Sequence, residues 1–486
     1  MAVIAETLSK LQAQHVFVAL IVILVFVTGK PYIGRLRPPR GAPHFLRHNL
    51  ALDAPRFSKR RIEYLQQGIE RSANGFFSFW YGANHIVAVS GSEARSTFLT
   101  ARGFDPLSGY ARAGFQVYKK CRQDDHISQN LHHLITDSHD CFKALGSAAV
   151  INPLEMMIGL VYQLTHRIVG IHDIAESPDL LAKTRKIYKP LEEHSLFDIW
   201  FPLLPTPSKL NKFWGYTKLH WMVQGFINER RSTGKRGTDG LQLMLDQGCG
   251  DWIMSIAITA AIIAGVFNTS ISAVWNLCYL ARDPTWLSRV RSEIDYVLSK
   301  HQQGPDESSA ETLYHLTLKD WESSFPSLEL ALKETLRFTM SGAMLRKNIV
   351  LQFVTPGTEL SIRFADSSHL QVYSVKDIHM NPQVYESPSE WNPRRHSEES
   401  AKSKETPYPF LGWGAGSHPC PGMRFAHLNM LIPTVMFLAT YDFQMCDANG
   451  GMTKEPMPDL TFDTVGAGRP ERQVYMKLTE RVSSST

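Results

Sequence analysis

The chain has 486 residues, 43% hydrophobic and 20% charged, a balance that excludes both global disorder and a disulfide miniprotein. Basic side chains outnumber acidic ones by 51 to 46, a net charge of +5, and so small an excess predicts no nucleic-acid partner. The six cysteines (Cys121, Cys141, Cys249, Cys278, Cys420, Cys446) include no close pair, which predicts reduced thiols and a catalytic body facing the cytosol.

Val16 to Val27 is an unbroken apolar run, and the uncharged stretch from Ala13 to Gly29 reaches the lower length limit of a spanning helix. Only Glu6 and Lys10 carry charge before it, a poor start for a cleaved signal peptide. Lys30, Arg35, Arg37 and Arg40 follow it and hold that side in the cytosol. Residues 1–30 are therefore expected to be a membrane anchor. Residues 31–43, with Pro38, Pro39 and Pro43, are expected to form a stiff proline-rich hinge. No composition break divides residues 44–486, which predicts one large, mainly helical domain with minor sheets.

Within it, residues 76–90 predict a hairpin turning at Gly82–Asn84. Most of 110–300 reads as helix, with breaks near Pro205–Ser208 and Arg230–Gly240. A cluster of His and Asp between Asp124 and Asp140 matches no usual zinc spacing and is expected to be a solvated helix face. A long apolar helix is predicted from Asp251 to about Ala281, closed by Asp283-Pro284. Another spans 328–340, short strands fill 349–375, and a last helix runs from Gly422 to about Thr440.

The most informative stretch is Pro409 to Ala426, where glycines and prolines surround Cys420 just before a helical pattern. Glycines let backbone approach a flat ligand closely. A thiolate at a helix N-terminus is stabilised by the positive end of the dipole and by backbone N–H donors. The chemistry that suits such a thiolate is axial ligation of haem iron, where its electron density favours O–O cleavage.

Trp413-Gly414-Ala415-Gly416-Ser417-His418-Pro419-Cys420-Pro421-Gly422 resembles the haem-binding loop of the cytochrome P450 family. Trp413 replaces the usual Phe, and His418 stands where that family contacts a haem propionate. Glu334-Thr-Leu-Arg337 resembles the family's ExxR signature, with both side chains on one helix face. Trp391-Asn-Pro-Arg-Arg395 resembles the segment that completes a Glu-Arg-Arg structural network, with Arg395 as its third member. Arg346 stands where a further propionate-binding arginine is common. No Trp-x-x-x-Arg motif is present, and no single residue between Arg122 and His133 stands out as its substitute.

Ala261 to Ser270 resembles the helix that crosses the distal side of the haem. Gly265 takes its first small position, Val266 its second, and Thr269 the place of its alcohol, whose hydroxyl is expected to bond back to a carbonyl. Asn268 stands where an acid is usual, and an amide cannot titrate. Asn268 and the Trp413 loop are similar to the branch holding sterol 7α- and 12α-hydroxylases and prostacyclin synthase.

The resemblance implies the mainly α P450 fold and haem b (iron protoporphyrin IX). It implies a monooxygenase fed with electrons from NADPH through a separate NADPH-cytochrome P450 reductase, acting on a lipophilic small molecule. A single-pass endoplasmic reticulum membrane protein with a cytosolic catalytic domain follows from the anchor. The style of the motifs resembles fungal enzymes of secondary metabolism. A haem-thiolate isomerase or dehydratase working without external dioxygen, and a catalytically impaired haem protein, remain alternatives at this level.

Overall fold

In a computed structural model, the residues described are 43 and 56–481, less 83, 102–103, 106–119, 147–148, 193–197, 199–203, 349–351, 355–360, 364–369, 398–404, 453–456 and 463–465. The expected anchor and nearly all of the hinge lie outside the described residues.

The predicted hairpin is present as β1 (Phe77–Tyr81) and β2 (Asn84–Val89), in antiparallel register from Phe77 opposite Ala88 to Tyr81 opposite Asn84. Helix α1 (Ser92–Thr100) follows, then β3 (Phe104–Asp105), and later β4 (Ala343–Asn348) and β5 (Leu370–Ser374). These strands form one mixed sheet in the order β1-β2-β5-β4-β3. Its β2–β5 pair is parallel and its β4–β5 pair antiparallel. A smaller sheet joins Val150–Ile151, Tyr475–Glu480 and Tyr441–Cys446.

The remainder is mainly helical. The principal helices are α2 (Asp124–Lys143), α3 (Pro153–Ile168), α4 (Pro207–Thr233), α5 (Asp251–Arg282), α6 (Pro284–His301), α7 (Pro326–Thr339) and α8 (Met423–Thr440). Their ends follow local chemistry. The Asn152 side chain accepts from the Leu154 and Glu155 N–H groups and Pro153 opens α3. Helix α4 runs four residues into the expected 230–240 break and stops at Gly234, whose φ of 70° is the left-handed conformation that glycine adopts without strain.

Helix α5, about 48 Å long at 1.5 Å per residue, is apolar enough by length and composition to cross a membrane. Here it is the core helix, packed against α3, α4, α7 and α8. The largest apolar cluster surrounds it and includes Ile258, Ile262, Val266, Trp275 and Leu277. A second cluster lies between the sheet and α1, where Phe98, Leu99 and Tyr373 meet Leu411 and Ala415 of the cysteine loop. Burying these side chains, at about 1.5–3 kcal/mol each, fixes the loop against the sheet.

The acidic and histidine-rich cluster on α2 is solvated in large part as expected: Asp124, Asp125, His132 and Asp140 are exposed and His133 and His139 half-buried, while two members turn inward. Asp137 is buried and receives two hydrogen bonds from the buried Arg167, at 2.7 and 2.9 Å. His126 is buried too, with its ring on the Ile168 carbonyl. The polar spacing serves to dock α2 on α3.

Candidate functional site

The cysteine loop is held from three directions. Its own backbone folds back, the Gly414 N–H donating to the Leu411 carbonyl (2.9 Å) and the Cys420 N–H to the Trp413 carbonyl (2.7 Å). Gly414 and Gly416 take φ of 67° and 70°, which few other residues adopt at low cost. A Cβ on Gly416 would stand 2.3 Å from the Leu99 carbonyl oxygen, so that glycine permits the loop to touch α1. Trp413 is half-buried against the main apolar cluster, and Gly422 caps α8.

The Leu99 carbonyl is a junction. It accepts the Ser417 N–H at 2.9 Å and the Arg346 guanidinium at 3.2 Å, while the Phe98 carbonyl takes the same guanidinium at 2.7 Å. Arg346, on β4, is thus brought to the cysteine loop. It is 2% exposed, its Nε has no partner, and no carboxylate pairs it among the described residues. Burial alone pulls its pKa down to about 10. A buried cation bonded only to neutral carbonyls is a receptor for an anion.

Cys420 is half-buried, two residues before the Gly422 cap. Burial pushes its thiol up, and the Gly422 backbone N–H offsets only part of that rise. A metal cation deprotonates a coordinating thiol outright, so this sulfur becomes an anion when it meets one. Cys121 and Cys278 are buried and pushed up to about 12, the condition of inert structural thiols.

Behind the loop lies a charged lock. Glu334 and Arg337 of α7 are fully buried and joined by two hydrogen bonds of 2.8 and 2.9 Å. Arg395 adds a bond to Glu334 at 2.9 Å and the Asn392 N–H another at 3.0 Å. The sequence-predicted trio is therefore assembled. A fourth member, His396, was missed: its Nε2 meets the other Glu334 oxygen at 2.8 Å. Burial would raise the Glu334 carboxyl, but His396 and Arg337 outweigh it and hold it at about 2.

A second missed residue, His379, links lock to loop. Its ring is fully buried, and burial holds its pKa down to about 3. The Leu411 N–H donates to its Nε2 at 2.8 Å, so the proton of the neutral ring sits on Nδ1, facing the Ser341 hydroxyl at 3.2 Å. Arg337 in turn donates to the His379 carbonyl. No signal in the sequence marks it: His379 stands among Lys376, Asp377 and Asn381 and reads as an ordinary loop histidine.

On α5, Ala264 is exposed in the middle of the core helix, and Asn268, one turn on, is half-buried on the same face. Gly265 faces α3 instead, where a Cβ would sit 3.5 Å from the Thr165 side chain. Thr269, one turn beyond Gly265, is 4% exposed. The back-bond expected of Thr269 is made by its neighbour: the Ser270 hydroxyl donates to the Val266 carbonyl at 2.7 Å. Asn268 accepts the Ala467 N–H at 2.8 Å. Helix α5 packs on α8, whose N-terminus carries the cysteine loop.

A family model described as Cytochrome P450 matches residues 145–470. The chain belongs to the cytochrome P450 family. It is 30% identical over 439 residues to the cytochrome P450 monooxygenase AacuE of Aspergillus aculeatus, covering 84% of this chain and 86% of that protein. It is 26% identical to the cytochrome P450 monooxygenase dmxR5 of a Cryptosporiopsis species, with 82% of each covered. The solved structure of the retinoic acid bound cyanobacterial CYP120A1 shares the fold, with a TM-score of 0.72 at 16% identity over 90% of this chain and 99% of that one. The chain is a haem-thiolate P450 monooxygenase with the mainly helical P450 fold.

The residues present fit the haem that the family implies. Arg346 is a buried cation lacking an anion. Cys420 lies beside a helix N-terminus in a loop whose backbone approaches closely. Ala264 is exposed in the middle of the core helix.

Proposed function

We propose that this P450 oxidises a lipophilic small molecule of fungal secondary metabolism, and that Cys420 is the thiolate that would hold haem b. The observation that carries the reading is the junction at the Leu99 carbonyl, where the Cys420 loop and the buried, carboxylate-free Arg346 meet. When bound, the haem supplies oxygen activation, and the net reaction is R–H + O₂ + two electrons + two protons giving R–OH and water. Arg346, by its charge, and His418, by a hydrogen bond, would hold its propionates. Trp413, Gly414, Gly416 and Gly422 give the loop its flat, close surface. Glu334, Arg337 and Arg395 act on structure alone, holding the loop through His379.

The oxygen side would lie along α5 at Gly265, Asn268 and Thr269, with Gly265 on the side turned to α3 and Asn268 on the face opened by Ala264. Asn268 is the member on the open face and cannot titrate, so protons reach that face through water. The two electrons come from NADPH through a separate reductase. Helix α4 supports a membrane setting: Leu210, Phe213, Trp214 and Trp221 are exposed, and at 100° per residue they share one side of the helix. Such a patch lies at the apolar–polar boundary of a bilayer. It agrees with an anchor at 1–30, a hinge at 31–43 and a cytosolic domain at 44–486 on the endoplasmic reticulum.

The test is reconstitution in microsomes with and without reductase, offering a panel of apolar fungal aromatic metabolites. Product one oxygen atom heavier than substrate, formed only with NADPH and reductase, is expected. Product formed equally well without NADPH would overturn the monooxygenase reading in favour of isomerisation.

A further inference from the structure

The segment Gly466–Arg469 is strapped to α5. Asn268 accepts the Ala467 N–H at 2.8 Å, and the Trp275 indole N–H donates to the Gly468 carbonyl at 3.2 Å. Arg469 lies over the Phe267 ring at 5.0 Å. The Gly468 N–H is taken by the Thr339 carbonyl of α7 at 2.7 Å. Among these contacts the Asn268 bond is the one on the open face of α5, one turn from the exposed Ala264.

Two features show that this contact is built. The partner of the Asn268 side chain is a backbone N–H, so the amide oxygen must face Ala467 and the amide nitrogen is left 3.4 Å from the Ala264 carbonyl. Gly466, beside it, has φ of 109°, and a Cβ there would stand 2.3 Å from the Asn268 oxygen. Any other residue at 466 would be strained and would push Asn268 away. Asn268 and Gly466 therefore depend on each other across 198 positions of sequence.

We propose that Asn268 is a positioning residue: its amide oxygen holds the Ala467 N–H, fixing the Gly466–Gly468 turn beside the open face of α5 and so limiting the size of ligand accepted there. This extends the P450 reading, since it gives Asn268 a task that an acid's proton does not perform. A carboxylate at 268 keeps the acceptor; a methyl group removes it. The inference stands on the clasp and not on the identity of the substrate.

The test uses the haem-loaded full chain with N268A, N268D and G466A. Hydrogen exchange is read on the peptide covering Ala467, and binding of imidazole and 4-phenylimidazole is followed by their spectral shifts. In N268A and G466A the Ala467 amide should exchange about tenfold faster, the loss of one hydrogen bond. The larger ligand should gain affinity several-fold relative to imidazole. N268D should keep wild-type exchange and size preference. If N268A loses haem, G466A provides the same readings from the other partner. Unchanged Ala467 exchange in N268A or G466A would overturn the proposal, as would equal shifts of size preference in N268A and N268D.

Discussion

Replacing Glu334 with Gln removes one charge and little volume at the centre of the lock. The two Glu334 oxygens accept five hydrogen bonds, from Arg337 twice, Arg395, His396 and the Asn392 N–H. An amide turns one oxygen into a donor facing donors, and it leaves Arg337, fully buried, without its counter-charge. Breaking a buried pair in this way costs about 3–5 kcal/mol. An independent route gives a similar figure: a carboxyl held at about 2 against its usual 4.5 corresponds to about 3 kcal/mol at neutral pH. That is a large share of a typical domain stability of about 5–15 kcal/mol. The sign follows from the depressed carboxyl. Its contribution is complete above pH 4.5 and is lost as the pH falls from there toward 2. Urea unfolding followed by tryptophan fluorescence should show E334Q destabilised by that amount at neutral pH, with a flatter acid profile than wild type below pH 4.5. A loss under about 1 kcal/mol, or an unchanged acid profile, would refute the account of the lock.

Further outcomes follow from the loop. R346M should leave the haem-free chain within about 1 kcal/mol of wild type, because removing a buried cation offsets the bonds lost at the Phe98 and Leu99 carbonyls. Haem transfer to apomyoglobin should nevertheless speed up at least about tenfold, the effect of one charge-assisted bond. G416A should fail to hold haem and should destabilise the haem-free chain, since its Cβ meets the Leu99 oxygen at 2.3 Å. G422A, with nothing within 4 Å of its Cβ and φ of −96°, should leave the haem-free chain unaffected; calorimetry separates the two. H379L should orphan the Leu411 N–H, cost about 1–3 kcal/mol, and be seen as a lowered urea midpoint.

Local pattern carried the hairpin at 76–90, the long helices and the cysteine loop, because each is specified by neighbours in sequence. The Glu334–Arg337–Arg395 trio was legible only through the resemblance of its two short segments to those of the family. What escaped depends on distant partners. His396 sits next to Arg395, yet only the fold shows that both reach the same carboxylate. His379 meets Leu411 from 32 residues away, and Asn268 meets Ala467 from 199. Asp137 was grouped with the exposed acids of α2 because charge alone does not reveal an Arg167 on the facing helix. On α5 the expected back-bond to a carbonyl is made by Ser270, a detail of packing that the order of residues does not reveal.

The central claim is that Cys420, as a thiolate, holds haem iron. The most direct test is the difference spectrum of the reduced protein with carbon monoxide, recorded beside a Cys420→Ala variant. The account predicts a red-shifted, thiolate-type Soret band in the wild type and its loss in the variant. A protein that binds no haem, or a variant with an unchanged band, would contradict it.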